Sequence, residues 1–233
     1  MSAPFRRMEQ TARNVECAGQ SATENLCELC QRQRPPFVHA AAHGVYEGTL
    51  RALIHLLKYE KVTTVAQPLG KMLAQAICSI PNLPQVVTVV VVPLHPAKER
   101  QRGFNQTALL AGHVAQSLRR KEQPRHEQGS RRFELALRAL GRQRATESQA
   151  GLTARGRRRN LRGAFFVAEP ERIAGRAVLL LDDVYTTGAT ARECTRTLLA
   201  AGAASVFVAT LARSQREGVA FWDAPAMQGA RVQ

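Results

Sequence analysis

The 233-residue sequence predicts an α/β fold, a mostly parallel sheet flanked by helices, and three observations carry that reading. Val86 to Val92 (VVTVVVV) and Val178 to Leu181 (VLLL) are short, unbroken apolar runs. Such runs suit strands buried on both faces of a parallel sheet, because a strand with one wet face would alternate. Amphipathic helical repeats stand beside them in the sequence. Both runs also lead into stretches dense in charged or hydroxyl side chains, and the carboxyl ends of strands are where open α/β sheets bind ligands.

The length allows one domain with a sizeable core plus a small appendage. Lys and Arg number 33 against 18 Asp and Glu, a formal charge of +15. That balance attracts polyanions, either nucleic acid or the several phosphates of a small substrate, and charge alone does not choose between them. No apolar stretch is long enough for a membrane span and the N-terminus has no signal-peptide core, so a cytoplasmic protein without membrane insertion is expected. Five cysteines without a secretory signal argue for reduced thiols or a metal site.

In chain order, residues 1–44 read as a polar tail and a small cysteine-bearing segment. Cys27 and Cys30 form a C-x-x-C knuckle able to chelate zinc, with Cys17 upstream. The second knuckle is half missing, since Asn14 stands where its other cysteine would be, and His39 or His43 would have to supply the fourth ligand. From Val45 to Tyr59, Leu50, Leu53, Ile54 and Leu57 recur at helical spacing, with Glu47 early and Lys58 late to suit the helix dipole. A second amphipathic helix is expected from about 64 to 80, with Pro68 in its first turn and Cys78 packed near its end. Pro81 and Pro84 break it.

After the Val86–Val92 strand comes PLHPAKERQRGFNQ, read as a cationic loop that ends at Asn105, the apparent N-cap of a helix reaching about Arg119. Residues 119–132 read as an exposed basic loop. Phe133, Leu135, Leu137 and Ala139 alternate as a strand would. An arginine- and glycine-rich stretch with Arg155, Arg157, Arg158 and Arg159 leads to a further apolar run, Ala164 to Val167. The Val178 strand ends at Asp182 and Asp183, followed by Tyr185-Thr186-Thr187-Gly188-Ala189-Thr190 and a helix from about 191 to 201. Ser205 to Ala212 give one more strand, and residues 214–233 read as a tail in which Phe221 and Trp222 are the only docking candidates.

Amides at a helix start, with the hydroxyls of Thr186, Thr187 and Thr190, suit a phosphate dianion, and Gly188 lets the backbone come close. Two carboxylates just upstream suit vicinal ribose hydroxyls. Paired acids at a strand end also mark the Walker B strand of P-loop ATPases. That reading needs a phosphate loop elsewhere, and the Gly70-Lys71 pair has Val65 and Met72 where a glycine and a hydroxyl residue should stand.

The stretch AVLLLDDVYTTGAT resembles the phosphoribosyl pyrophosphate (PRPP) loop of type I phosphoribosyltransferases. VVPLHP followed by RQRGFNQ narrows the resemblance to the ComF family, phosphoribosyltransferase-like proteins that include competence and GntX-type proteins. Lys58-Tyr59 and the series Gln149, Leu152, Arg157, Asn160 fit the same family, and the incomplete cysteine pairs depart from its zinc-ribbon-like N-terminal segment. The resemblance implies a type I phosphoribosyltransferase-like domain over residues 45–213. Asp182 and Asp183 would hold the ribose and stabilise positive charge on it. Thr186 to Thr190 would bind the 5′-phosphate. Lys98, Arg100, Arg102 and Gly103 would receive the pyrophosphate, with Mg²⁺ bridging substrate oxygens and zinc held by Cys17, Cys27 and Cys30. It further implies a mobile hood in the arginine-rich stretch. The implied activity is displacement of pyrophosphate by an acceptor that no residue identifies. The alternative, from the competence branch, is a non-catalytic adapter handling single-stranded DNA with DNA-uptake proteins. With 5% aromatic residues, it would bind mainly through phosphates.

Overall fold

A computed structural model describes residues 15–18, 34–121, 131–143 and 161–214, with main-chain structure alone at 15–18 and 120–121. Its strands are β1 (Val15–Ala18), β2 (His39–Val45), β3 (Val86–Val91), β4 (Arg132–Leu135), β5 (Leu140–Arg142), β6 (Phe165–Val167), β7 (Ala177–Tyr185) and β8 (Ser205–Arg213). The helices are α1 (Gly48–Tyr59), α2 (Ala66–Cys78), α3 (Pro96–Arg102), α4 (Gln106–Lys121) and α5 (Ala189–Ala200). Six strands form one sheet in the order β1-β2-β8-β7-β3-β4, all parallel except β1 on the edge. The expected fold class, a mostly parallel sheet flanked by helices, is the one observed.

The unbroken apolar runs are explained by two cores. Val87, Val89 and Val91 of β3 and Leu179 and Leu181 of β7 face Ile54 and Leu57 of α1, Leu69 and Leu73 of α2, and Leu110 and Val114 of α4. Their neighbours Val90, Val178 and Leu180 face Cys194 and Leu198 of α5 with Leu140, Leu161 and Phe165. Alternate residues therefore enter different cores, so both faces of each strand are mainly apolar, Thr88 of β3 being a buried exception. Gly70 of α2 meets the Cβ of His113 on α4, and a side chain at residue 70 would push these two helices apart.

Several expectations change. His39 and His43 stand on β2, an inner strand paired in parallel with β8, and the side chain of His39 is buried. The sheet thus begins before residue 45, and the expected boundary falls inside β2. Small residues explain why the segment did not read as a strand: HAAAHGV has few β-branched side chains. Cys17 lies on β1 opposite Ala40, while Cys27 and Cys30 lie outside the described residues. Cys78 is exposed rather than packed. The alternation from Phe133 to Ala139 yields only the short β4, after which the chain turns into β5. β5 and the Phe165–Val167 strand pair antiparallel as a separate hairpin-like flap, Leu140 opposite Val167 and Arg142 opposite Phe165. The basic residues 144–160, including Gln149, Leu152, Arg155, Arg157, Arg158, Arg159 and Asn160, lie outside the described residues, as do Phe221 and Trp222. Among the described residues no helix is long and apolar enough to cross a membrane.

Candidate functional site

The sheet order makes a switch point between β3 and β7: from β3 the chain proceeds outward to β4, whereas from β7 it proceeds to β8 on the other side. The loops leaving these adjacent strands diverge and open a crevice at their carboxyl ends. β3 pairs with β7 only as far as Val91 opposite Leu181, with one further bond from Val92 N–H to the Leu181 carbonyl. β7 continues to Tyr185 with pairing to β8 alone. Asp182 and Asp183 occupy this overhang, inside the strand rather than beyond its end.

Because successive side chains point to opposite faces, the two carboxylates have different surroundings. Asp183 is 7% exposed and ion-paired, its Oδ1 lying 2.8 Å from Lys58 Nζ at the end of α1. Its Oδ2 accepts a 2.9 Å hydrogen bond from Gln106 Nε2 at the start of α4. Burial alone would raise the Asp183 carboxyl, yet Lys58 and the Gln106 donor hold it below the usual range. Lys58 would be lowered by the same burial, but Asp183 holds it above its ordinary value. Among the described residues Asp182 has no such ion pair. Burial and the charge of Asp183 push it up to about 7, although its Oδ1 accepts the Asp183 backbone N–H at 2.8 Å. The pair therefore sets a fixed anion beside a group that titrates near neutrality.

On the β3 side, the expected loop contains a seven-residue helix, α3. Pro96 suits its first turn, His95 Nδ1 accepts from the Ala97 N–H at 3.2 Å, and Gly103 closes it at φ 86°. Lys98 and Arg100 are exposed on this helix. Arg102 bends back: its guanidinium donates to Gln106 Oε1 at 2.9 Å and lies 5.4 Å from the Tyr59 ring centre. Asn105 caps α4 as expected, its Oδ1 accepting from the Thr107 N–H at 3.0 Å. Although largely exposed, Lys98 is lowered by partial loss of solvent around its ammonium and then by the charges of Arg142 and Arg102. Cations from α3 and from β5 thus repel one another across the crevice, an arrangement that an anion would relieve.

On the β7 side, Thr186 and Thr187 lead to Gly188, then Ala189 and Thr190 begin α5. Gly188 has φ 71°, and the Tyr185 phenol fills the space a Cβ would take, so glycine serves both the left-handed turn and this close packing. Thr187 Oγ1 accepts from the Ala189 N–H at 3.4 Å. The hydroxyls and the first amides of α5 are gathered at one helix N-terminus beside the acid pair, which suits an oxyanion.

Comparison with known proteins places the chain in a family. The DNA utilization protein YhgH of Escherichia coli is 34% identical over 191 residues, 81% of this chain and 78% of the relative. The chain belongs to the ComF family. The DNA utilization protein YhgH of Salmonella typhi is 33% identical, with the same coverage. Competence protein F of Haemophilus influenzae is 29% identical over 192 residues, again covering 81% of this chain and 78% of the relative. No family model matches the chain. Similar solved structures include the glutamine PRPP amidotransferase of B. subtilis, at 22% identity and a TM-score of 0.37 over 63% of this chain and 26% of that one. A hypoxanthine phosphoribosyltransferase from Staphylococcus aureus is 15% identical with a TM-score of 0.35, covering 71% of each chain.

In this ComF chain the structure brings Asp182, Asp183, the Thr186–Thr190 turn and the α3 cations to one crevice. Arg102, expected from the sequence to receive the pyrophosphate, donates to Gln106 in this structure. Three residues were missed in their roles. Lys58 read as a helix-dipole partner and Gln106 as part of a motif, yet both bind Asp183. Arg142, on the flap, lies over the Phe165 ring at 5.5 Å and is lowered by burial, while Asp182 raises it. Nothing local marks Arg142 in a sequence with many arginines. Among the described residues no cluster of three or more His, Cys, Asp or Glu side chains is placed to hold a metal.

Proposed function

We propose that this protein binds PRPP or a related ribose phosphate with Mg²⁺ across the β3–β7 crevice, and transfers the phosphoribosyl group to an acceptor. The observation that carries this reading is the meeting, at one switch point, of a paired-acid strand end, a hydroxyl-rich helix N-terminus and a cationic helix. The Thr186–Thr190 turn takes the 5′-phosphate. Asp182 and Asp183 face the ribose, where negative charge stabilises an oxocarbenium-like transition state. Lys98 and Arg100 on α3, with Arg142 from the flap, receive the pyrophosphate as its bond to ribose C1 breaks and the acceptor forms a new one. The donor set fits a hard cation held chiefly by substrate oxygens: Asp182 Oδ2 is the carboxylate oxygen not engaged in the bonds above. Mg²⁺, when bound, neutralises charge on the leaving group. Calorimetric titration with Mg²⁺ and PRPP tests the reading. Micromolar binding that is lost in the double variant Asp182→Asn, Asp183→Asn supports it, and a folded protein that binds no PRPP sinks it.

A second reading, handling of single-stranded DNA without catalysis, is favoured by a different surface. An open groove of about 700 Å³ along β4 is lined by Arg119, Arg131, Arg132 and Arg172, with Glu134 as the one acid among the described residues lining it. The names of two relatives, DNA utilization protein YhgH and Competence protein F, point the same way. DNA bound through six to ten phosphates should lose roughly 10³- to 10⁵-fold in affinity between 50 and 200 mM salt. Anisotropy of a labelled single strand that did not respond to salt would count against this reading.

A further inference from the structure

Asp183 is the site carboxylate with least to offer a substrate, because each of its oxygens already accepts a buried donor. Those donors belong to a chain of contacts that begins at the pyrophosphate side. Arg102, at the end of α3, donates to Gln106 Oε1 at 2.9 Å, and Gln106 Nε2 donates to Asp183 Oδ2 at 2.9 Å. Lys58 holds Oδ1 at 2.8 Å, and its neighbour Tyr59 returns to Arg102, whose guanidinium lies over the ring at 5.4 Å. Gln106 is 5% exposed, so its amide orientation is set by these two partners and not by water. A guanidinium bonds a phosphate through often bidentate contacts between two full charges, whereas the Gln106 carbonyl offers it one neutral acceptor. An anion arriving at α3 therefore competes for Arg102 on favourable terms. Once Arg102 leaves, the Gln106 carbonyl loses the donor that fixed it, and the amide is free to turn from Asp183.

We propose that Arg102, Gln106 and Asp183 form a latch which pyrophosphate bound at α3 releases, so that Asp183 Oδ2 accepts a ribose hydroxyl only once the pyrophosphate is seated. This rests on the ribose-phosphate reading above. Lys58 keeps Oδ1 throughout, so the negative charge stays in place while one oxygen is exchanged. The latch would order the site: the ribose is gripped fully only when the leaving group is already neutralised.

The test is calorimetric titration of the full chain with ribose 5-phosphate and Mg²⁺, with and without saturating inorganic pyrophosphate. Direct repulsion between the two anions weakens joint binding. A gain of about fivefold or more in ribose 5-phosphate affinity on adding pyrophosphate is the expected sign of coupling. Gln106→Leu, with the latch open, should bind ribose 5-phosphate tightly without pyrophosphate and gain nothing from it. Arg102→Gln, on the half-exposed end of α3, should likewise bind ribose 5-phosphate more tightly without pyrophosphate, which loss of a pyrophosphate contact alone would not produce, and this decides the matter if the buried variant fails to fold. Unchanged affinity and gain in these variants, or weaker ribose 5-phosphate binding in Gln106→Leu, overturns the latch. Wild-type binding of both ligands without coupling overturns the latch alone, whereas binding of neither overturns it together with the ribose-phosphate site.

Discussion

Replacing Asp182 with asparagine should stabilise the protein, and more so as pH rises. Burial and the Asp183 charge raise its carboxyl from 3.8 to about 7. In the folded state this group keeps a proton that the unfolded chain releases above pH 4. Its contribution to stability is therefore fully present below the unfolded value and is lost as pH rises through about 7. Raising the carboxyl this far penalises the ionised folded form by about 4 kcal/mol in full. Between pH 5 and pH 8 the linkage relation gives a loss of about 2–3 kcal/mol in the wild type that Asp182→Asn escapes. For a chain of this size that is roughly 5–10 °C in Tm. Urea denaturation of both proteins at pH 5 and pH 8 measures it: the stability difference should move in favour of the variant by that amount. If Asp182→Asn destabilises equally at both pH values, Asp182 is ionised and paired in the folded state, and the argument for two unlike carboxylates is wrong.

Other consequences are open to direct measurement. Lys58→Met leaves the buried Asp183 carboxylate without its counter-charge and should cost about 3–5 kcal/mol, much of it recovered when Asp183→Asn is added. Additive losses in the double-mutant cycle would show that the two groups do not interact. The stability contributed by the Lys58–Asp183 pair should be fully present above the unfolded carboxyl value of 3.8 and fade as pH falls from there through the lowered folded value, which acid titration of stability measures. Gly188→Ala must adopt φ 71° against the Tyr185 ring and should destabilise by about 1–3 kcal/mol, with a matching loss of phosphate affinity; a neutral result would mean the turn is not fixed as described. Replacing Arg131, Arg132 and Arg172 with glutamine should lower the salt dependence of DNA binding by about one logarithmic slope unit for each phosphate contact removed. PRPP binding should be unaffected, since these residues lie along β4 and away from the crevice.

Half of the candidate site was legible because its signals are local. Asp182, Asp183 and the Thr186–Thr190 turn form one uninterrupted stretch at the end of an apolar run, and α3 with Asn105 follows another. What escaped was contact between distant segments. Gln106 and Asp183 are 77 residues apart, and neither carries a mark of the other. β2 was missed because its alanines and histidines have weak strand preference; it is a strand because β8 and β1 supply hydrogen bonds on both sides. The α3 helix is too short for periodicity to reveal it, and the cap at His95 and the turn at Gly103 define its ends.

The sequence by itself determined the fold class and which strand ends carry the chemistry, because burial on both faces demands an unbroken apolar run and a run ends where polar side chains begin. Only the tertiary structure decided how those chemical groups differ. It placed Lys58 and Gln106 on Asp183, gave Asp182 no comparable ion pair among the described residues, and turned Arg102 inward to Gln106. Charge state and hydrogen-bond occupancy depend on distances of a few ångströms between segments that folding brings together, and composition and spacing along the chain contain no such distances.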